Sequence, residues 1–132
     1  MKKFTLVPAF LAACLLVAVA FAAKEDRVIA SFESLSSSGV SGQATLSTPP
    51  QGGTQIHVMV RGLQPNTDYV TQYFTDGACT AAPGSQVAAF KANPAGIGQF
   101  NVRIDASLAN IKSLSVQQQS DLSLKACASV NQ

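Results

Sequence analysis

Apolar and polar residues alternate with a period of two along most of the chain after residue 27. The alternation is clearest at residues 40–47, 56–61 and 100–105. It is typical of half-buried strands, because successive side chains of a strand point to opposite faces. Five segments with weaker alternation are also predicted to be strands: residues 28–34, 69–74, 87–92, 111–117 and 122–130.

Short stretches rich in Ser, Pro, Gly and Asn separate these segments, at residues 36–39, 49–53, 65–66 and 93–96. Such residues favour turns because they adopt or stabilise turn conformations. Eight short strands at nearly regular spacing predict an all-β fold, an eight-stranded antiparallel Greek-key sandwich or barrel. One helical turn is expected, within residues 105–110.

Residues 1–22 have the pattern of a cleavable export signal. Lys2 and Lys3 precede an apolar run at residues 4–22, which ends in an Ala-Phe-Ala sequence suited to signal peptidase. We therefore expect a signal peptide at residues 1–22 and a single β-sandwich domain at residues 23–132. The protein is then periplasmic or secreted.

Two other interpretations of this segment stay open. The Leu-Ala-Ala-Cys sequence at residues 11–14 fits the box before a lipid-modified cysteine in bacterial lipoproteins, so Cys14 would carry the lipid. The apolar run continues beyond Cys14, which favours simple cleavage instead. An uncleaved anchor is long enough, since about twenty apolar residues span a bilayer. The Ala-Phe-Ala end and Pro8 argue against it, and no membrane span is expected after cleavage.

Charge excludes several classes of partner. Two of the nine Lys and Arg residues, Lys2 and Lys3, lie in the signal, which leaves seven against seven Asp and Glu. A formally neutral domain without a basic block has no electrostatic basis for binding nucleic acid. It also lacks a polybasic patch for anionic lipid.

The cysteine count predicts one disulfide. Loss of Cys14 with the signal leaves Cys79 and Cys127 as an even pair in an oxidising compartment. Cys79 lies in the longest segment without strand character, residues 75–86, which the bond would hold in place. It closes a loop of about 49 residues, which stabilises the fold by about 4 kcal/mol in the chain-entropy estimate.

Four motifs, in the right order, resemble the Cu/Zn superoxide dismutase-like sandwich family. They are GVSG at residues 39–42, GLQPNTDY at 62–69, DGACT at 76–80 and KACASV at 125–130. The second resembles the family's turn into the strand that carries copper ligands. The third and fourth resemble its two disulfide segments. The resemblance implies an eight-stranded scaffold that spans most of the exported domain.

This sequence lacks the residues that bind metal in that family. Copper and zinc need several imidazoles and a carboxylate, whereas Thr71 and Tyr73 stand near the expected ligand positions. The residues after Cys79 contain no histidine. His57, the chain's one histidine, falls among the polar positions that alternate with the apolar residues of its predicted strand. We expect a surface histidine, no cofactor and no dismutase activity.

The segment at residues 62–69 also resembles the tyrosine corner of fibronectin type III domains. The chain continues for about four predicted strands after Tyr69 and has no tryptophan, so this family is the second choice. Under either interpretation Tyr69 is expected to fasten the upstream turn through its hydroxyl.

Catalytic sites are not indicated. A serine nucleophile needs a histidine base, and no Gly-x-Ser-x-Gly elbow is present. The carboxylates are scattered, with Asp68 and Asp76 the nearest candidates for a pair.

A candidate contact surface remains at Gln72, Tyr73, Phe74 and Asp76, beside the cysteine-containing loop. Tyrosine offers contact area at little entropic cost, which suits a protein or glycan partner. The alternative is that Phe74 belongs to the core and Tyr73 covers a sheet face. We expect a non-catalytic, exported module that binds a partner or associates with the envelope. A lipoprotein anchored through Cys14 and an enzyme with an unrecognised site are the alternatives.

Overall fold

The computed structural model describes residues 27–81 and 83–131. The predicted signal peptide and Cys14 lie outside the described residues. Eight strands and one short 3-10 helix follow in order: β1 Arg27–Ser34, β2 Ser41–Ser47, β3 Thr54–Arg61, β4 Asp68–Phe74, β5 Ser85–Lys91, β6 Gly98–Ile104, the 3-10 helix Leu108–Asn110, β7 Ser113–Gln118 and β8 Leu124–Ser129. All eight predicted strands and the single helical turn are confirmed, with ends that differ by one or two residues.

The strands form one antiparallel sheet in the order β5-β4-β7-β8-β1-β2-β3-β6. The connections from β3 to β4 and from β6 to β7 cross between distant strands, which makes a Greek key. The sheet folds over into two packed layers, β1-β2-β3-β6 (the first layer) and β5-β4-β7-β8 (the second layer). The predicted all-β Greek-key fold is therefore confirmed.

The two edge strands, β5 and β6, meet through side chains and nearly close the barrel. The rings of Phe90 and Phe100 have centroids 5.3 Å apart across this seam. Gly98 leaves room for them, because a Cβ there would lie 2.3 Å from the ring of Phe90. Aromatic packing thus joins the layers where backbone pairing ends.

The core lies between the layers and follows the period-two pattern. In β3, Ile56, Val58 and Val60 are completely buried, whereas the intervening residues His57 and Met59 are exposed. The prediction of a surface histidine is confirmed. The apolar side chains of the other strands fill the same space, so burial of these faces is the main stabilising contribution.

Tyr69 fastens the turn that precedes β4. Its ring is 98% buried and stacks on Phe90, with centroids 5.9 Å apart. Its hydroxyl accepts a hydrogen bond of 2.9 Å from the backbone N–H of Gln64. The expected structural role of Tyr69 is confirmed. Among the described residues, no helix is long and apolar enough to cross a membrane.

Candidate functional site

The site is built on the outer face of the second layer. The loop between β4 and β5 (residues 75–84, described except for residue 82) packs against the sheet there. Strand β7 is buried on both faces for this reason. Leu114 and Val116 face the core, and the outward residues Ser113, Ser115 and Gln117 are also buried. Buried hydroxyl and amide groups need hydrogen-bond partners. The loop supplies two of them, both to the hydroxyl of Ser113.

The first half of the loop folds around the carboxylate of Asp76. Its oxygens accept hydrogen bonds from the backbone N–H groups of Ala78 at 3.1 Å, Thr80 at 3.1 Å and Ala81 at 2.8 Å. The Thr80 hydroxyl donates a fourth, at 2.6 Å. The Thr80 hydroxyl and these N–H groups hold the pKa of Asp76 well below its ordinary value of 3.8. Asp76 therefore shapes its own loop.

The disulfide and two serines attach this loop to the sheet. Cys79 and Cys127 are bonded, with Cα atoms 6.1 Å apart, which confirms the predicted pair. The Ser113 hydroxyl donates to the Asp76 carbonyl at 2.6 Å and accepts from the Cys79 N–H at 3.1 Å. The Ser129 hydroxyl donates to the Gly77 carbonyl at 2.6 Å. The loop is thus held at three points and presents a fixed surface.

Asp76→Asn is expected to loosen the loop in a pH-dependent manner. An amide can accept through one oxygen only, so at least one of the loop's donors loses its acceptor. Because folding lowers the pKa of Asp76, its stabilising contribution is complete above the ordinary pKa of 3.8 and is lost as pH falls toward the folded-state value.

Hydrogen exchange of the amides of Ala78, Thr80 and Ala81 measures this effect. We expect faster exchange in Asp76→Asn than in the unchanged protein at pH 6, and a difference that shrinks on strong acidification. Asp105→Asn is the control, since Asp105 pairs with Arg103 away from the loop. Equal exchange in Asp76→Asn and the unchanged protein at pH 6 would contradict the assignment.

The four residues of the predicted contact surface separate in the structure. Gln72 and Phe74 share the outer face of β4 and lie together beside Gly84, where an added Cβ would be 2.7 Å from both side chains. Tyr73 lies on the opposite face and packs against the core. Phe74 is 94% buried under the loop. Asp76 is occupied by its own loop, so only Gln72 and the covered ring of Phe74 come together.

Gln72 and Phe74 line a shallow cavity of about 320 Å³ between the loop and the end of β7. Thr80 and Pro83 form one wall, and Leu122, which is 52% exposed, forms the other. The exposed side chain of Leu122 makes this cavity suitable for an apolar group of a partner. Sequence analysis missed Leu122 because it assigned the residue to the last strand, whereas β8 begins at Leu124.

A hydrogen-bonded chain positions Leu122 relative to β4. The Gln72 N–H donates to the Ser115 hydroxyl at 3.1 Å, and that hydroxyl donates to Gln117 Oε1 at 2.6 Å. Gln117 Nε2 in turn donates to the carbonyl of Leu122 at 3.2 Å. Leu122 has a left-handed backbone with φ of 56°.

The residues present do not fit the copper and zinc centre that the family resemblance implies. Thr71 is completely buried and Tyr73 packs on the core, and neither is an imidazole donor. His57 lies exposed on the first layer, and both described cysteines are in the disulfide. Within residues 27–81 and 83–131, no three His, Cys, Asp or Glu side chains are grouped so as to hold a metal ion.

Comparison with models of protein families and with curated proteins finds no match to this chain.

Proposed function

We propose that this protein is an exported, non-catalytic binding module of the cell envelope. It has a scaffold that resembles the dismutase-like sandwich without the metal site. The observation that carries the proposal is the loop at residues 75–84, fixed by a disulfide, an internal carboxylate and two serines. A loop fixed so firmly beside an open apolar cavity presents a preorganised contact surface, which lowers the entropic cost of binding.

Export is supported by the disulfide and by the first 22 residues. Disulfides persist in oxidising compartments and are rare in the cytosol. A basic start, a long apolar run and a small-x-small end are the parts of a secretory signal. The Greek-key order of strands and the disulfide between the loop and β8 agree with the resemblance to the dismutase-like scaffold.

A binding role without catalysis is supported by the chemistry of the cavity. Its walls are Phe74, Pro83 and Leu122 with amide and hydroxyl groups, and no titratable side chain lines it. His57, the chain's one imidazole, lies on the outer face of the other layer. A general base within hydrogen-bond reach is the usual requirement for an activated serine or threonine nucleophile.

The intact mass of the protein recovered from its native host tests export and the absence of bound metal together. We expect a chain that begins at Ala23, is two hydrogens lighter than the reduced form, and has the same mass under native and denaturing conditions. A diacylated chain that begins at Cys14 would establish the lipoprotein alternative. A metal lost only on denaturation would point to the enzyme alternative.

Photocrosslinking in the intact envelope tests the contact surface. A photoreactive amino acid at Leu122 is expected to give a discrete adduct, because this side chain is exposed at the cavity. The matched control places the same group at Ala95, which is exposed on the turn before β6. Identical adducts from both positions, or none from Leu122, would exclude the cavity as the contact.

A further inference from the structure

All three arginines and the one histidine of the chain lie on the outer face of the first layer. Arg27 belongs to β1, His57 and Arg61 to β3, and Arg103 to β6. The four residues are spread over the sequence, and the strand register brings them to one surface. The described lysines lie elsewhere, on β5, on β8 and just before β7.

The register places two of these arginines at opposite ends of one row across the sheet. Arg27 pairs with Ser47, Ser47 with Gln55, and Gln55 with Arg103. Since neighbouring strands lie about 4.8 Å apart, the two arginine positions are about 14 Å apart. The adjacent row continues the polar surface with Ile29, Thr45, His57 and Asn101.

A shallow groove of about 310 Å³ lies along these rows. It is lined by two basic side chains, two hydroxyls and two amides, and by no carboxylate: Arg27, Thr45, Ser47, Gln55, His57 and Asn101. Within the part of the chain that the structure describes, the side chains of Arg27, Thr45, Ser47 and His57 make no hydrogen bond. These donors and acceptors are free for a ligand. In this the groove differs from the second layer, where the side chains of Ser113, Ser115 and Gln117 are already hydrogen-bonded.

Other groups at the groove are already oriented. Gln55 Nε2 donates to Asn101 Oδ1, which fixes both amides. Arg103 donates from Nε to the Gly52 carbonyl at 2.9 Å and from Nη1 to Asp105 at 3.2 Å, so its guanidinium lies at a defined place beside the groove. A guanidinium keeps further N–H groups for a second anion.

We propose that this face binds an acidic polysaccharide in which carboxylated sugars alternate with neutral sugars. The chain lies across the strands, with its carboxylates on Arg27 and Arg103 and its hydroxyls on the amide and hydroxyl side chains between them. Exposed Ile29, at the end of the second row, offers an apolar surface to a sugar ring. This proposal does not depend on the cavity beside Leu122.

The distribution of charge on this face favours an acidic ligand. The only carboxylates on this layer within the described residues are Glu33 and Asp105, and Asp105 is paired with Arg103. The other described carboxylates, Asp68, Asp76 and Asp121, belong to the second layer and its loops. Two separated cations with neutral polar groups between them suit a ligand whose negative charges are spaced apart. They suit a nucleic acid less well, because it carries a phosphate at every nucleotide. None of the described aromatic side chains is exposed on this face, whereas protein interfaces favour aromatic anchors.

Binding of hyaluronan, measured by titration calorimetry on the exported protein, tests the proposal. Hyaluronan alternates carboxylated and neutral sugars, and dextran serves as the neutral polysaccharide. We expect binding of hyaluronan and none of dextran. Arg27→Gln should weaken binding by about tenfold, since one charge-assisted hydrogen-bonding group is lost. Arg27→Gln/Arg103→Gln should weaken it further.

The matched control is Lys91→Gln/Lys112→Gln, which removes the same charge from exposed positions off this face. Its affinity for hyaluronan should change by less than about twofold, because distant exposed charges are screened by salt. Arg27→Gln is the informative single variant. Arg27 makes no side-chain hydrogen bond to the described residues, whereas Arg103 bonds to the turn at Gly52. An equal loss in the lysine control, binding of dextran or of a DNA oligonucleotide with equal affinity, or no binding of hyaluronan would overturn the proposal.

Discussion

Removal of the Cys79–Cys127 bond is expected to lower the free energy of unfolding by about 4 kcal/mol. The bond joins residues 48 positions apart, and cross-linking a loop of this length restricts the unfolded chain strongly. The fold also loses the covalent attachment of the loop between β4 and β5, which supplies two hydrogen-bond partners to buried Ser113. In a domain of roughly 110 residues, this corresponds to a fall of about 15 °C in melting temperature.

The double variant Cys79→Ala/Cys127→Ala tests this expectation, because it leaves neither partner of the bond as a free thiol. Thermal and urea unfolding of the variant should be compared with those of Ser129→Ala. Ser129 ties the same loop to the same strand through one hydrogen bond of 2.6 Å, so its loss should cost only about 1 kcal/mol. Equal melting temperatures for the double variant and the unchanged protein would show that the bond contributes nothing to stability.

Gly62→Ala is expected to lower the free energy of unfolding by about 3 kcal/mol. Gly62 follows β3 with φ of +81°, and a Cβ there would lie 2.2 Å from the carbonyl oxygen of Gly39. That oxygen belongs to the backbone and cannot rotate away as a side chain would. The substitution therefore adds a steric clash to the ordinary cost of a left-handed conformation.

Gly52→Ala separates these two contributions. Gly52 has φ of +90° and nothing within 4 Å of an added Cβ, so it reports the conformational cost alone. We expect about 1 kcal/mol for Gly52→Ala in urea unfolding. If the two alanine variants lose the same free energy, the backbone of Gly39 does not approach Gly62 as closely as described.

The strands could be predicted because most of them have one face in water. In β3, the exposed residues His57, Met59 and Arg61 alternate with three buried aliphatic residues, and the sequence shows this directly. β7 lacks that contrast, since Ser113, Ser115 and Gln117 are polar yet buried. The loop accounts for the burial of Ser113, and Gln72 and Leu122 contact Ser115 and Gln117. Where such distant segments lie on a sheet is not visible in local sequence.

The candidate sites could be predicted only in part. The disulfide followed from the number of cysteines, but Gln72, Tyr73 and Phe74 are consecutive in a strand and cannot share one face. Leu122 reaches the cavity from about 50 positions further along the chain. The grouping of the arginines on the outer face of the first layer depends on the register of four strands. Arg27, Arg61 and Arg103 are more than thirty residues apart in sequence.

The pairing of β1 with β8 means that the sheet of this domain cannot be completed before β8 has formed. The first and last strands are joined through Phe32 with Ala128, Glu33 with Cys127 and Ser34 with Ala126. Contacts between such distant parts of the chain form slowly, because a large loop must close before they stabilise anything. A nascent chain without residues 124–129 leaves the edges of β1 and β7 unpaired. Until β8 forms, backbone pairing does not join the two layers, because β8 is the strand that links β7 to β1.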